Sequence, residues 1–234
     1  MPSWGIHLVT ANEVLKKINI SEENAFFIGN VMPDAERHVI DNFSVFVEYD
    51  ISHFTELQEV NGNLERLPNP VKFVNKYKNK MKNPMILGYL IHLLTDYYWN
   101  KLTAARFTIR DNNGNFIGIK LNTGENLEAD KTIRRNLKHN DFYLFENELI
   151  QNTIFKLPDY SEDLINFSEE IEEINYNKDD LQKIVFYLTN KFGNIQKEEL
   201  IGEYKLYTKE QMKNDFRNSI EFILNFLVEN NLIK

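Results

Sequence analysis

The stretch from Asn83 to about Leu102 constrains the fold more than any other part of this 234-residue chain. Asn83 can cap a helix with its side-chain oxygen. Pro84 suits the first helical position, where a missing N–H costs nothing. Leu87, Leu90, Ile91 and Leu94 then follow with apolar neighbours on nearly every side, so no face of this helix can be left to water. The uncharged run Met85 to Thr95 is about half of a membrane span and contains His92. It is expected at the centre of a helical protein, with other elements packed all round it.

Those other elements are mostly helical by pattern. Leu8, Ala11, Leu15 and Ile18 recur at spacings of three and four between Gly5 and Ile18, which marks one buried helical face. Ser21 is placed to cap a short second helix ending near Gly29, and Pro33 is expected to hold Met32 extended. Residues 35–70 carry no clear period beyond a turn at Asn61-Gly62-Asn63. After the central helix, Phe107-Thr108-Ile109 and Phe116-Ile117-Gly118-Ile119 flank Asp111-Asn112-Asn113-Gly114 and predict a β-hairpin over about 106–121. Helices are predicted over 127–138, 141–156, 161–175 and 178–192. A last one opens with the capping box Thr208-Lys209-Glu210-Gln211. The expectation is one all-α domain over 1–234, with a small inserted hairpin as the only sheet. Its metal-site half is 1–100; the hairpin and C-terminal helices fill 101–234.

Composition narrows the function classes. Hydrophobic residues make up 42% and aromatic ones 13%, enough for a packed core and too many for a disordered chain. Net charge of −8 argues against general nucleic-acid binding, and it provides no attraction to anionic lipid. With no cysteine, disulfides, thiolate ligands and Cys nucleophiles are excluded together. Met1-Pro2-Ser3-Trp4 starts without a basic or apolar leader, and no transmembrane segment is predicted, so a cytoplasmic location is expected.

Four of the five histidines fall within the first 92 residues. His92 and Asp96 are four apart on the central helix and leave it on one side. A carboxylate inside so apolar a helix needs compensation, from a buried His–Asp hydrogen bond or from a divalent metal serving both groups. Gly88, one turn earlier, leaves room for a neighbouring ligand. His7, Asp34 and His53 each have a bland reading as surface, capping or core residues. Together with His92 and Asp96 they form a set of three imidazoles and two carboxylates that suits one or two ions.

Four segments in order carry a resemblance: Trp4-Gly5-Ile6-His7; Phe27-Ile28-Gly29-Asn30-Val31-Met32-Pro33-Asp34; Ser52-His53-Phe54; and Gly88-Tyr89-Leu90-Ile91-His92-Leu93-Leu94-Thr95-Asp96-Tyr97-Tyr98-Trp99. This succession resembles the zinc-dependent phospholipase C family and the N-terminal catalytic domain of glycosylphosphatidylinositol-specific phospholipase D. More distantly, it is similar to single-strand-specific zinc nucleases. The resemblance implies an all-α fold and a metal site of Asp34, His53, His92 and Asp96. It places His7 with a bridging Asp96 at a second ion. It also implies hydrolysis of a phosphoester in a small molecule or lipid head group, with Asp34 as ligand or outer-shell base. One or two divalent ions are implied, zinc first, with iron or manganese equally suited to His and Asp ligands. In the secreted members the mature chain begins at a tryptophan whose amino group ligates metal, whereas Trp4 here follows three residues. Their further histidines and glutamate for a third ion are reduced here to His139, with Asp141 or Glu146 as candidate substitutes.

Some features have weaker claims. Lys72, Lys76, Lys78, Lys80 and Lys82 form a basic run that reads as a solvated face before it reads as a phosphate guide. His38, four residues after Asp34, is a further candidate ligand. Tyr98 and Trp99 read as core before they read as a choline pocket. The leading expectation is a metal-dependent phosphoester hydrolase. The alternative is a non-catalytic helical protein with a structural or vestigial metal site. A histidine–aspartate nucleotide phosphohydrolase ranks last, because no adjacent His-Asp pair occurs.

Overall fold

The helix beginning at Pro84 is the axis of the structure. A computed structural model of the protein describes residues 2–35, 40–193 and 202–233. In it the central helix, α5, runs Pro84–Phe107, and Asn83 caps it by accepting from Met85 N at 2.9 Å. Around it lie α1 (Trp4–Leu15), α2 (Glu23–Val31), α4 (Pro70–Tyr77), α6 (Lys131–Asn152), α7 (Asp163–Ser168), α8 (Lys178–Phe192) and α9 (Lys209–Glu229); a single turn, α3, spans Tyr49–Ser52. Every residue of α5 from Pro84 to Asp96 is buried, which explains its lack of a polar face.

The expectation of an all-α fold is corrected: the protein is mostly helical but mixed. Among the described residues there are two small antiparallel sheets with five strands. The first is a hairpin of β1 (Glu56–Val60) and β2 (Asn63–Leu67), in register Glu56↔Leu67 to Val60↔Asn63. Asn61 and Gly62 have φ of 51° and 77°, the left-handed pair that a tight hairpin turn needs. Strand alternation is hard to see here because Leu57 and Leu64, its apolar residues besides Val60 and Leu67, point to solvent. The second sheet contains the predicted hairpin, as β3 (Thr108–Arg110) and β4 (Phe116–Lys120), and adds β5 (Asn126–Glu128) on the edge of β4. A polar edge strand of three residues has too short a period to read.

Several boundaries move. The helices predicted at 127–138 and 141–156 are one, α6, capped by Asp130, whose side chain accepts from Ile133 N. The one predicted at 161–175 shrinks to α7. Both sides of the Thr208/Gln211 capping box are made. Pro33 does not hold Met32 extended: Met32 has φ −48° and ψ −46°, and α2 tightens directly into a 3₁₀ turn, Met32–Asp34.

The closest packing is between α2 and α5. A Cβ at Gly29 would stand 1.9 Å from the Met85 carbonyl oxygen, and one at Gly88 would stand 2.0 Å from that of Phe26. Gly88 therefore makes room for a backbone, not for a ligand. No side-chain adjustment relieves such an overlap, so a larger residue must separate the helices. Gly88→Ala should lower stability by about 3 kcal/mol despite a gain of about 1 kcal/mol in helix propensity. Urea unfolding of the variant measures the difference.

Candidate metal centre

Five side chains from four segments converge beside this crossing. His7 comes from the second turn of α1, Asp34 from the 3₁₀ turn after α2, and His53 from the residue after α3; His92 and Asp96 come from α5. Tyr176 fixes the Asp34 turn, its hydroxyl lying 2.7 and 2.8 Å from the Met32 and Ala35 carbonyls. Tyr89 of α5 holds the His53 segment by donating to the Ser52 carbonyl.

Asp96 is fully buried. It turns Oδ1 to His7 Nε2 at 3.4 Å and Oδ2 to His53 Nε2 at 3.4 Å and His92 Nε2 at 3.9 Å. Asp34 Oδ1 lies 3.3 Å from His53 Nε2 and 4.0 Å from His92 Nε2. Its side chain, 10% exposed, is the least buried of the five. Two overlapping donor groups result, His7/His92/Asp96 and Asp34/His53/His92.

Hydrogen bonding leaves these groups unsatisfied. Both oxygens of Asp96 and both ring nitrogens of His7 are buried without a hydrogen-bond partner. His92 Nδ1 is 2.8 Å from the Asn30 carbonyl, which can only accept, so Nδ1 carries the proton and Nε2 presents a lone pair. At His53, Nδ1 lies 2.9 Å from Ser52 Oγ, which is also 3.4 Å from the Tyr49 carbonyl, so the ring is fixed with Nε2 turned into the cluster. The two Nε2 atoms face each other at 3.1 Å. The His92 Nε2 lone pair can there accept from a protonated His53 Nε2, or both nitrogens can turn to a shared cation. The donor set, with carboxylate oxygens that make no well-aligned hydrogen bond and converging imidazole nitrogens, fits a divalent ion.

The electrostatics agree. Burial alone would raise both carboxyls, but facing imidazoles outweigh it and hold Asp34 and Asp96 below the usual carboxylate range. Burial pushes the His92 imidazole down to about 3; His7 adds to the effect while Asp34 and Asp96 oppose it. Two anionic carboxylates thus face a neutral His92 in a buried pocket.

Two residues beyond the predicted set shape the site. Asn30, with its amide oriented to satisfy both ends, donates to the His7 carbonyl at 2.8 Å and accepts from His92 N at 3.3 Å, tying α1, α2 and α5 together. Tyr49 stacks on His53 with ring centroids 3.9 Å apart. Burial and the charges of Asp96, Asp34 and Asp50 hold its phenol well above the usual value, so it stays a hydrogen-bond donor. Asn30 stood inside a motif already singled out, beside Gly29; Tyr49 carried no local signal.

Other candidates lie elsewhere. Glu146 accepts from Gly5 N at 2.8 Å and so caps α1. Asp141 takes three backbone N–H groups, from Lys205, Leu206 and Tyr207, at 2.7–2.8 Å. His139 lines an adjoining cleft with Tyr49 rather than joining the five. His38 is outside the described residues. In the basic run, Lys72 pairs with Glu56 at 2.7 Å, Lys76 with Glu172 and Glu173, and Lys80 with Glu172 at 3.7 Å. Trp99 is fully buried against Phe142 and Tyr207, and Tyr98 packs on Phe222. Trp4 begins α1 within the chain, its ring edge-on to Tyr187.

Compared with protein-family models, curated proteins and solved structures, the chain finds no match. Among the described residues, no helix is long and apolar enough to cross a membrane.

The neutral state of His92 sets a pH dependence. An unfolded histidine titrates near ~6.5, against about 3 for His92 in the folded chain. Between those values the unfolded chain binds one more proton, so stability falls as pH drops through the window and is unaffected above it. The metal-free protein should lose about 1 kcal/mol per pH unit between pH 6 and 4 through this residue. His92→Gln should flatten the dependence by that amount. Urea unfolding in chelator at several pH values reads both slopes, and parallel slopes would contradict a neutral buried His92.

Proposed function

We propose that this protein is a metal-dependent phosphoester hydrolase resembling zinc-dependent phospholipase C/D. The observation that carries the reading is Asp96: a fully buried carboxylate whose oxygens make no well-aligned hydrogen bond, set among three imidazoles and facing a second carboxylate. A buried charge left so would cost several kcal/mol, which a bound cation offsets. The order of the four motifs supports the same reading.

His53, His92, Asp34 and Asp96 would hold one divalent ion, and His7 with the other oxygen of Asp96 would contribute to a second. When bound, such ions supply Lewis acidity toward phosphoryl oxygens and acidify a neighbouring water. The chain's own residues do the rest. Asp34, at the more open side, orients the attacking water and takes its proton. His53 is set by Ser52 and the Tyr49 ring, so its Nε2 points inward without a search over rotamers. Tyr49, kept protonated, donates a hydrogen bond toward a phosphoryl or leaving oxygen. Asn30 holds the His7 and His92 backbones in register.

The full burial of His7, His92 and Asp96 also suits a structural ion. Metal analysis combined with activity separates the two. The wild type should retain one or two equivalents of metal and His92→Ala should lose them. Asp34→Asn should lower the turnover of bis(p-nitrophenyl) phosphate or p-nitrophenyl phosphate by ~10²-fold or more. A folded wild type that takes up no metal would end the proposal. Stoichiometric metal with no phosphoesterase activity on any ester tested would leave the structural role.

A further inference from the structure

A cleft of about 500 Å³ adjoins the five-residue cluster, with Tyr49 as the wall between them. One face of the Tyr49 ring stacks on His53, and the residue also lines the cleft. The cleft inverts the charge of the protein. Against −8 overall, its lining holds Arg66, Lys131, Arg134, Arg135 and Lys138 with a single carboxylate, Glu65.

Four of these cations lie on one face of α6, at positions i, i+3, i+4 and i+7. That spacing sets like charges over one another along the helix, and each such pair is unfavourable. The stripe also occupies the helix's N-terminal half, where the macrodipole disfavours cations and where, past the capping Asp130, the first turn holds no acidic residue. Neighbouring side chains offset little of it. Arg134 has Glu65 at 3.7 Å, and Lys138 donates to the neutral Asn100 at 2.9 Å. Lys131 and Arg135 have no ion-pair partner among the described residues. Arg66, on β2, pairs with Asp50 at 2.9 Å where both are half exposed. An anion in the cleft would relieve the repulsion along α6.

We infer that this cleft binds a second anionic group of the substrate, so that the molecule acted on is a phosphoester carrying at least one further phosphate or equivalent anion. A zwitterionic head group of the choline type is disfavoured, because its quaternary ammonium would face five cations. This rests on the hydrolase reading for its meaning, but it is tested without metal, so the two fail separately.

The probe is inorganic pyrophosphate, titrated calorimetrically into the whole metal-free protein in chelator, with orthophosphate beside it. Pyrophosphate should bind, more tightly than orthophosphate, and weaken as salt rises. Lys131→Ala combined with Arg135→Ala should weaken it at least about tenfold, with an unfolding midpoint unchanged or raised and metal content unchanged. His92→Ala should lose metal yet keep pyrophosphate binding. Cosedimentation with phosphatidylcholine vesicles, with and without phosphatidylinositol bisphosphate, identifies the source. Pelleting that pyrophosphate competes away supports a lipid-borne anion; pyrophosphate binding without pelleting supports a soluble ester. No pyrophosphate binding by the wild type, equal binding by the double variant, or capture of a single-stranded oligonucleotide that pyrophosphate does not displace would each overturn the inference.

Discussion

The backbone-to-backbone contact of α2 with α5 is the constraint on which the candidate site depends. Gly29 and Gly88 let each helix lie against a carbonyl of the other, with no side chain between. That approach puts the Asn30 carbonyl 2.8 Å from His92 Nδ1 and carries the following 3₁₀ turn, with Asp34, to within 4.0 Å of the His92 ring. A spacing of one side-chain layer more would leave Asp34 out of reach and remove the bond that sets the His92 tautomer. One steric fact thus places both the ligand candidate and its proton.

The cluster is stable only as a system of opposed terms. Burial disfavours every charge in it, yet mutual attraction with the imidazoles keeps Asp34 and Asp96 ionised, and burial keeps His92 neutral. Its geometry suits ligands as well as a hydrogen-bond network: three imidazole nitrogens and two carboxylates converge, and both Asp96 oxygens and both His7 nitrogens make no well-aligned bond. A network evolved only for packing would leave fewer buried polar atoms unpaired.

The surface beside the cluster repeats this logic in the opposite sign. β2 and the N-terminal half of α6 bring cations to one cleft, while Lys72, Lys76 and Lys80 before α5 are paired with Glu56, Glu172 and Glu173. Three of the five lysines in the basic run conspicuous in the sequence are therefore spent on ion pairs. The less conspicuous stripe on α6 is the one left facing a cavity.

Local pattern determined a good deal by itself. The apolar period and the Asn83 cap marked the central helix, the Thr208/Gln211 box marked the last one, and the Phe107–Ile119 alternation marked a hairpin. Each rests on contacts within a few residues of the chain. His92 and Asp96 were paired by helical spacing alone, and His7, Asp34 and His53 were gathered by residue type and motif order. Tertiary structure decided the rest. The β1–β2 hairpin escaped because its strands bury little and their alternation is largely polar, although Asn61-Gly62 announced the turn. Asp141 and Glu146 looked like ligands but serve backbone N–H groups more than fifty residues away. Tyr49 and the cations of α6 and β2 meet only when strand, turn and helix pack together, because their proximity comes from packing between distant segments, which no local period encodes.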